Sequence, residues 1–232
     1  MRRQRSLFKY FDDRRWAEAF LEGQIRFQPL STIRRWEEQG VRGDRNEGTA
    51  LFAPAEGLDV TNLTQGTRLR IPAHRFASAV RSDEIFVHCL SRTWSQALWD
   101  ELNAVACVEV FNVPSFCARV SAALPPGAHF PGRPGRERIG TRVEYYRAQD
   151  PIGARWTLPD RIAHSKLHDF ARQDEYRLVF SFTDALSFEN VSLTIEPQGI
   201  AGVDHGGDHE PFDLEMPSVA DICLLRGARP DS

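Results

Sequence analysis

The sequence is poor in lysine. Lys9 and Lys166 are the only lysines among 29 basic residues, and all the others are arginine. Such a bias indicates that arginine has replaced lysine wherever any cation suffices. The two lysines that remain are therefore candidates for sites that need a compact ammonium rather than a planar guanidinium. Survival by chance is the alternative explanation.

Long apolar runs are also absent, and no stretch approaches the roughly eighteen residues of a membrane-spanning helix. The basic start MRRQRSLF lacks the apolar segment of a secretory signal. The four cysteines form no CxxC pair, and Cys89, Cys107 and Cys223 lie in apolar runs. This indicates buried thiols in a reducing compartment. We therefore expect a cytoplasmic protein without a membrane partner.

Familiar catalytic motifs are missing as well. There is no GxSxG nucleophile elbow, no GxxxxGKS or GxxxxGKT loop and no strand-bound GxGxxG. His164 and His168 are four apart and would share a helix face, but no Glu lies between them. A second polar group lies in a glycine-rich stretch and is equally consistent with solvated side chains: Asp204, His205, Asp208 and His209. We predict no metal site.

The pattern of the chain predicts a single α+β domain over residues 1–232, because 41% of the residues are apolar and can form a normal core. The predicted strands are LFKYF, QIRFQPL, EIFVHCLS, ACVEVFN, TRVEYYRA, YRLVFSF, VSLTIEP and DICLL, with a hairpin around TNLTQGTRLRIP. The predicted helices are DDRRWAEAFLEG, STIRRWEEQGV, SQALWDELN, VPSFCARVSAAL and DRIAHSKLHDFARQD. We expect a mainly antiparallel sheet flanked by helices.

Three details of this prediction can be checked directly. VSLTIEP is expected to form a hairpin or near-hairpin with YRLVFSF. Ser31 or Thr32 is expected to cap the second helix. Residues 124–140, rich in proline and glycine, are expected to form a flexible loop, a crossing connection or a lid.

The first polar cluster is the loop RGDRNEG. It contains Arg42, Asp44, Arg45 and Glu47, with glycines at positions 43 and 48. Glycine lets the backbone approach a ligand closely, and an arginine held by a neighbouring acid can still donate to a phosphate. A solvated surface loop is the alternative.

The second polar cluster is DFARQDEYRLVF, residues 169–180. If the backbone is extended there, Gln173 and Glu175 face the same side and can act on one bound molecule. A single carboxylate such as Glu175 can bind a sugar hydroxyl and stabilise the positive charge that develops at an anomeric carbon. The alternative is a surface ion pair between Glu175 and Arg172 or Arg177.

Together, LFKYFDDRRWAEAFLEGQIRFQPLSTIRRWEE, RGDRNEG, FVHCLS and the Gln-x-Glu-Tyr-Arg strand resemble a widespread, poorly characterised family of bacterial domains. The order of elements is more distantly similar to the ADP-ribosyltransferase fold, and nearest to the DNA-targeting ADP-ribosyltransferase toxins. That resemblance implies Glu175 and Gln173 on the catalytic strand, Arg42 at the arginine position and Ser91 on the bracing strand. Lys9 and Tyr10 would lie on the first strand. Lys9 stands where the toxins have histidine.

The resemblance implies an NAD-dependent ADP-ribosyltransferase with a nucleic-acid or protein acceptor, in a toxin-antitoxin or phage-defence system with a cognate inhibitor protein. Glu175, Arg42 and Gln173 would be catalytic. The residues binding NAD would be Lys9, Tyr10, Asp44, Glu47 and Ser91. Two alternatives stay open: a non-catalytic nucleotide-binding or sensing domain, and a metal-dependent nuclease-like toxin that uses Asp44, Glu47 and Glu175.

Overall fold

The computed structural model describes residues 6–38, 46–133, 135–151, 153, 156–198 and 210–227. They form an α+β protein with mostly antiparallel sheets and few helices, as the sequence predicts. The α-helices of the described residues are α1 (Arg14–Leu21), α2 (Leu30–Glu38), α3 (Gln96–Glu101), α4 (Val113–Ala123) and α5 (Pro159–Ala163). Short 3-10 helices span His168–Gln173, Asp184–Leu186 and Phe188–Asn190.

The strands of the described residues fall into four sheets. The first seven are β1 (Leu7–Phe11), β2 (Gln24–Pro29), β3 (Thr49–Phe52), β4 (Leu58–Asn62), β5 (Thr67–Ile71), β6 (His74–Val80) and β7 (Phe86–Ser91). The others are β8 (Ala106–Val110), β9 (Gly140–Arg142), β10 (Glu144–Tyr146), β11 (Ser165–Leu167), β12 (Glu175–Phe180), β13 (Val191–Pro197), β14 (Phe212–Glu215) and β15 (Cys223–Arg226). The predicted β4–β5 hairpin is confirmed.

The main sheet has eight strands and divides at β7. One edge of β7 pairs along its whole length with β12, which in turn pairs with β9. On the other edge, β1 pairs with one end of β7 and β2 with the other end. One half-sheet continues from β1 to β8 and β15, and the other continues from β2 to β14. The two half-sheets therefore diverge from a common strand.

Two hydrophobic cores lie on opposite faces of β12, because successive residues of a strand point to opposite sides. Leu178 and Phe180 belong to the larger core, which α1 and α4 cover with Phe20 and Phe116. Val179 belongs to the second core, beside Trp156 and the strands β3 and β6. Burial on both faces explains why YRLVFSF is apolar at almost every position.

Local sequence signals set the ends of several helices. The Asp13 side chain accepts a hydrogen bond from the Arg15 amide and so caps α1, which is followed by Gly23. Ser95 caps α3 and Asn112 caps α4, with Pro114 in the first turn of α4. These boundaries agree with the sequence prediction. The second helix differs, because it already begins at Leu30, so Ser31 and Thr32 lie inside its first turn.

The helix predicted over DRIAHSKLHDFARQD is wrong. The segment forms α5, then β11, then the 3-10 helix that ends at Gln173. Strand β11 pairs in parallel with β10, which places Tyr145 opposite Lys166. This long-range pairing overrides the helical spacing of the apolar residues.

Two strand predictions also need correction. VSLTIEP, as β13, pairs with β6 in a separate three-stranded sheet and not with β12. TRVEYYRA is two strands, because the chain leaves β12 after Arg142 and joins β11 from Glu144 onward. Buried Val143 lies at this change of partner.

The segment 124–140 crosses back to β12 and is attached to it at two places. His129 and Ser181 exchange backbone hydrogen bonds of 2.8 and 3.0 Å, and the Val179 amide donates to the Ile139 carbonyl at 2.7 Å. Leu124 and Ile139 are buried at its two ends.

No helix in the described residues is long and apolar enough to cross a membrane.

Candidate functional site

A cleft opens where β1 and β2 leave the same edge of β7. Strand β1 reaches that edge at Ser91, whereas β2 reaches it at Phe86 and Val87. The middle of β7 faces the gap between them. Lys9 extends into this gap and donates a hydrogen bond from its Nζ to the Cys89 carbonyl at 2.9 Å.

A cavity of about 190 Å³ fills this gap, and we call it the first cavity. Six of the eight predicted site residues line it: Lys9, Tyr10, Glu47, Ser91, Gln173 and Glu175. The other two, Arg42 and Asp44, lie outside the described residues. The fold thus brings β1, β7, β12 and the turn before β3 to one place.

Four buried charges form the floor of the first cavity. Arg177 donates to the two oxygens of Glu47 at 2.6 and 2.9 Å, and from its Nε to Glu175 Oε2 at 2.8 Å. Lys166 Nζ lies 3.1 Å from Glu47 Oε1 and 2.9 Å from Glu175 Oε1. We call these four residues the charge cluster. Its two acids and two bases alternate, so each buried charge has partners of opposite sign.

The charge cluster keeps both carboxyl groups ionised. Burial alone would raise the pKa of Glu175, but the positive charges of Arg177 and Lys166 outweigh burial and lower this pKa to about 2. The same balance lowers the pKa of Glu47. Burial would lower the pKa of Lys166, yet Glu175 and Glu47 raise it above its usual value. At neutral pH the floor is therefore fully charged.

Gln173 and Glu175 reach the same ammonium, although the backbone between them is not extended as the sequence suggested. Gln173 ends a 3-10 helix, Asp174 has a left-handed backbone with φ of 42°, and Glu175 begins β12. Lys166 Nζ donates to Gln173 Oε1 at 2.8 Å. The Asp174 carboxylate accepts hydrogen bonds from Arg92 and Thr93, which hold this turn in place.

Glu175 is not part of a surface ion pair. Arg172, one of the two partners considered from the sequence, instead pairs with Glu101 at 2.8 Å on the surface. Arg177 is the actual partner, but its side chain is fully buried. The Glu175 backbone is held too, because its amide donates to the Tyr145 hydroxyl at 2.8 Å.

Glu47 links the loop that precedes β3 to the other residues of the charge cluster. Its side chain is fully buried, and both of its oxygens are bound by Arg177. Arg34 of α2 donates from its Nε to the Glu47 carbonyl at 3.0 Å. Glu47 therefore connects the end of RGDRNEG to β12, and it also lines the first cavity, where a ligand contact was predicted for it.

Tyr10 and Ser91 form the wall of the first cavity nearest to α3. The Tyr10 hydroxyl accepts a hydrogen bond from the Ser95 amide at 2.8 Å and donates to the Thr93 carbonyl at 3.2 Å. Burial raises the pKa of Tyr10 to about 12, so it stays protonated. Ser91 Oγ also donates to the Thr93 carbonyl, at 2.9 Å. These bonds fix the orientation of both side chains.

A second cavity, of about 480 Å³, adjoins the first. Both cavities are lined by the same five residues, which form their shared wall: Lys9, Tyr10, Arg26, Gln28 and His88. The second cavity continues toward the start of α1 and to β14, where Trp16, Asp213 and Glu215 line it. The cleft is therefore longer than the first cavity alone.

Sequence reasoning missed several residues of the site. Arg177 forms part of its floor, and Arg26, Gln28 and His88 form the shared wall. The scarcity of lysine was a usable signal, since Lys9 and Lys166 both line the first cavity. Trp16 of α1 lines the second cavity and is 54% exposed.

The His164 and His168 pair does not form a metal site of the kind considered. His164 ends α5 and bonds through Nδ1 to the Asp160 carbonyl, whereas His168 begins a 3-10 helix beyond β11. Within the described residues, no three His, Cys, Asp or Glu side chains are grouped so that they could hold a metal ion. The group at residues 204–209 lies outside the described residues.

All four cysteines are free thiols. Cys107 and Cys223 are buried as expected. Cys89 was also expected to be buried but is half-buried, as is Cys117.

Comparison with known proteins gave no match among family models, curated proteins or solved structures.

Proposed function

We propose that this protein is an NAD-dependent ADP-ribosyltransferase with an ADP-ribosyltransferase-like fold, and that the cleft beside β7 binds NAD. The observation that carries the proposal is the meeting of Gln173 and Glu175 on the floor of a cavity that Lys9, Tyr10 and Ser91 also line. Lys9 and Tyr10 lie on β1, Ser91 on β7 and Glu175 on β12, in agreement with the resemblance. Gln173 differs, because it ends the 3-10 helix before β12.

Glu175 has the properties that the reaction requires. Its carboxylate is ionised at neutral pH, and Lys166 and Arg177 each occupy one oxygen. A carboxylate has about four lone-pair sites, so each oxygen can accept one more hydrogen bond. Glu175 would bind a hydroxyl of the nicotinamide ribose and stabilise the positive charge that develops at the anomeric carbon.

The chemical step breaks the bond between the anomeric carbon and the nicotinamide nitrogen, and the electron pair leaves with nicotinamide. The acceptor atom then bonds to the anomeric carbon and loses its proton. Lys9 and Arg42 would hold the diphosphate, Tyr10 would pack on the nicotinamide ring, and Gln173 would orient the acceptor. The acceptor would be nucleic acid or protein, in a cytoplasmic toxin or phage-defence system with its own inhibitor protein.

A non-catalytic nucleotide-binding or sensing domain is the second candidate. The observation that favours it is the pairing of both Glu175 oxygens with buried cations, which resembles a structural ion pair as much as a reactive group. Such a domain would bind the nucleotide in the same cleft without cleaving it.

The nuclease alternative is less well supported. Lys166 Nζ lies within 3.1 Å of Glu47 and 2.9 Å of Glu175, so an ammonium occupies the position between the two carboxylates where a catalytic metal would bind. Asp44, its third proposed ligand, lies outside the described residues. Nuclease activity abolished by EDTA would favour this alternative.

The decisive experiment measures nicotinamide release from NAD. We expect the wild-type protein to release nicotinamide, and Glu175→Gln to lower the rate about 100-fold or more while still binding NAD. Glu101→Gln is the matched control, because Glu101 forms a surface pair outside the cleft, and we expect less than about a twofold change.

Thermal unfolding of each variant with and without NAD separates loss of chemistry from loss of fold. Binding of NAD without nicotinamide release by the wild type would favour the sensing domain. If the wild type neither releases nicotinamide from NAD nor is protected by NAD against thermal unfolding, both candidates are contradicted.

A further inference from the structure

The two cavities form one elongated cleft. Along β1, Phe8 lines the first cavity, Lys9 and Tyr10 line both, and Asp12 lines the second. Strand β2 runs along the cleft in the opposite direction to β1. Gln24, at the start of β2, lines the second cavity, and Gln28, near its end, lines both. A ligand that starts at Glu175 can therefore extend between these strands toward α1.

The charge of the cleft changes along its length. Lys9 and Arg26 place two cations in the shared wall. Arg26 donates from its Nε and Nη2 to Asp213 at 2.7 and 2.8 Å, which orients the guanidinium and leaves the hydrogens of Nη1 for another acceptor. A phosphate group would suit this part of the cleft, because both cations can donate to its oxygens.

The shared wall also contains two buried acceptors. His88 bonds through Nδ1 to the Arg26 carbonyl at 2.9 Å, so Nδ1 carries the hydrogen and Nε2 is left as an acceptor. Burial lowers the pKa of His88 to about 3, which keeps the ring neutral. His88 Nε2 and Gln28 Oε1 are both buried and have no hydrogen-bond partner within the described residues.

The far end of the second cavity offers acceptors and an aromatic face. Asp12 and Glu215 contribute carboxylates, which attract hydroxyl or amino groups and repel a phosphate. Trp16 and Tyr10 also line the cavity, and Trp16 is 54% exposed, although a large aromatic side chain is normally buried. An exposed indole beside hydrogen-bond acceptors suits a flat base joined to a hydroxyl-bearing sugar.

We infer that the second cavity binds a nucleoside, with its base against Trp16 and its hydroxyl and amino groups on the acceptors of the cavity, and that Lys9 and Arg26 bind the diphosphate. In terms of the proposed function, this nucleoside is the adenosine half of NAD. The first cavity then holds the nicotinamide half beside Glu175. Arg26, which the sequence analysis did not predict, therefore binds phosphate together with Lys9.

The test compares three probes by isothermal titration calorimetry: NAD, ADP and nicotinamide mononucleotide. We expect Trp16→Ala to weaken binding of NAD and ADP about tenfold, the effect of losing one stacked base, and to change binding of nicotinamide mononucleotide less than about twofold. Arg26→Gln is expected to weaken all three, since each carries phosphate.

Phe188→Ala is the matched control, because Phe188 is 68% exposed and lies in a 3-10 helix that does not line the cleft. We expect this variant to bind all three probes as the wild type does. Equal loss of affinity for the three probes in Trp16→Ala, or no loss, would overturn the inference.

The outcomes distinguish this inference from the proposed function. Trp16-dependent binding of ADP without nicotinamide release from NAD would support the nucleoside site and overturn the transferase. Nicotinamide release that does not depend on Trp16 would support the transferase and overturn the nucleoside site. If the wild type binds neither NAD nor ADP, both the nucleoside site and the transferase are overturned.

Discussion

Lys166 shows why a lysine remains in a chain that otherwise uses arginine. Three acceptor oxygens converge on its single nitrogen, from Glu47, Glu175 and Gln173, at 3.1, 2.9 and 2.8 Å. The three hydrogens of an ammonium can point to three converging acceptors, whereas a guanidinium spreads its donors over a plane. Phe170 covers the same cation with its ring, 4.9 Å from the nitrogen.

We expect Lys166→Met to lower the free energy of unfolding by about 3–5 kcal/mol, because it leaves buried negative charge without its partner. Lys166→Arg is expected to cost about 2 kcal/mol or more, since the longer planar group must displace its neighbours. Urea unfolding measures both. Arg172→Lys, in an exposed pair, is the control and should change stability by less than about 0.5 kcal/mol.

The double variant Lys166→Met with Glu47→Gln tests whether the charge cluster acts as a unit. It removes one charge of each sign, so it should cost less than the sum of the two single variants. Strict additivity would mean that Lys166 and Glu47 do not stabilise each other within the charge cluster.

At the scale of elements, the clearest single constraint is at the end of α1. Gly23 has φ of 99°, and a Cβ there would lie 2.0 Å from the Met216 carbonyl oxygen. This close approach lets the Met216 amide donate to the Gly23 carbonyl at 3.1 Å beside β14. The turn after α1 thus helps to hold one half-sheet.

Gly23→Ala is expected to destabilise the protein by several kcal/mol, on the order of 3, because it adds a backbone collision to the unfavourable positive φ. Gly66→Ala provides the matched control. Gly66 has φ of 66° with no atom within 4 Å of an added Cβ, so only the conformational cost of about 1 kcal/mol remains. Equal effects in thermal or urea unfolding would show that the contact with Met216 is unimportant.

Elements with strong local signals were predicted well from the sequence. The predicted starts of α1, α3 and α4 agree with the structure, because Asp13, Ser95 and Asn112 cap these helices by contacts within three residues. The helix predicted across His164 failed because β11 depends on pairing with β10, about twenty residues earlier in the chain. The predicted partner of β13 was wrong for the same reason, because the pairing of β13 with β6 is not signalled by the sequence of either strand alone.

The candidate site follows the same division. Gln173 and Glu175 line the first cavity and could be singled out because they adjoin a recognisable strand. Lys9 and Lys166 line it too and could be singled out because lysine is rare. Arg26 and His88 were missed, since their place in the cleft depends on how β1 and β2 diverge from β7, which no short segment encodes.

For the whole molecule, buried ionisable groups make stability depend on pH. The folded protein keeps His88 neutral with a pKa of about 3 and His164 neutral with a pKa of about 4, both below the ordinary value of 6.5. Below pH 6.5 the unfolded chain therefore binds protons that the folded chain does not, and stability falls. The pKa of Glu175, about 2 instead of 4.5, adds a further loss as pH falls from 4.5 to 2.

We expect the free energy of unfolding to be highest near neutral pH and to decrease as the pH falls, by up to about 1.4 kcal/mol per pH unit for each additional proton. His164→Asn should flatten the decrease between pH 6.5 and 4, and Glu175→Gln should flatten the decrease between pH 4.5 and 2. Urea unfolding at a series of pH values measures these slopes. A decrease that neither variant changes would assign acid sensitivity to other groups.

The open part of β7 has one more consequence. A strand edge without a neighbour can pair with a strand from another molecule and start aggregation. Here Lys9 occupies the Cys89 carbonyl with a charged group, and β1 and β2 flank the gap at its two ends. A foreign strand would have to displace the ammonium and fit between β1 and β2, so Lys9 protects an open sheet edge against strand pairing.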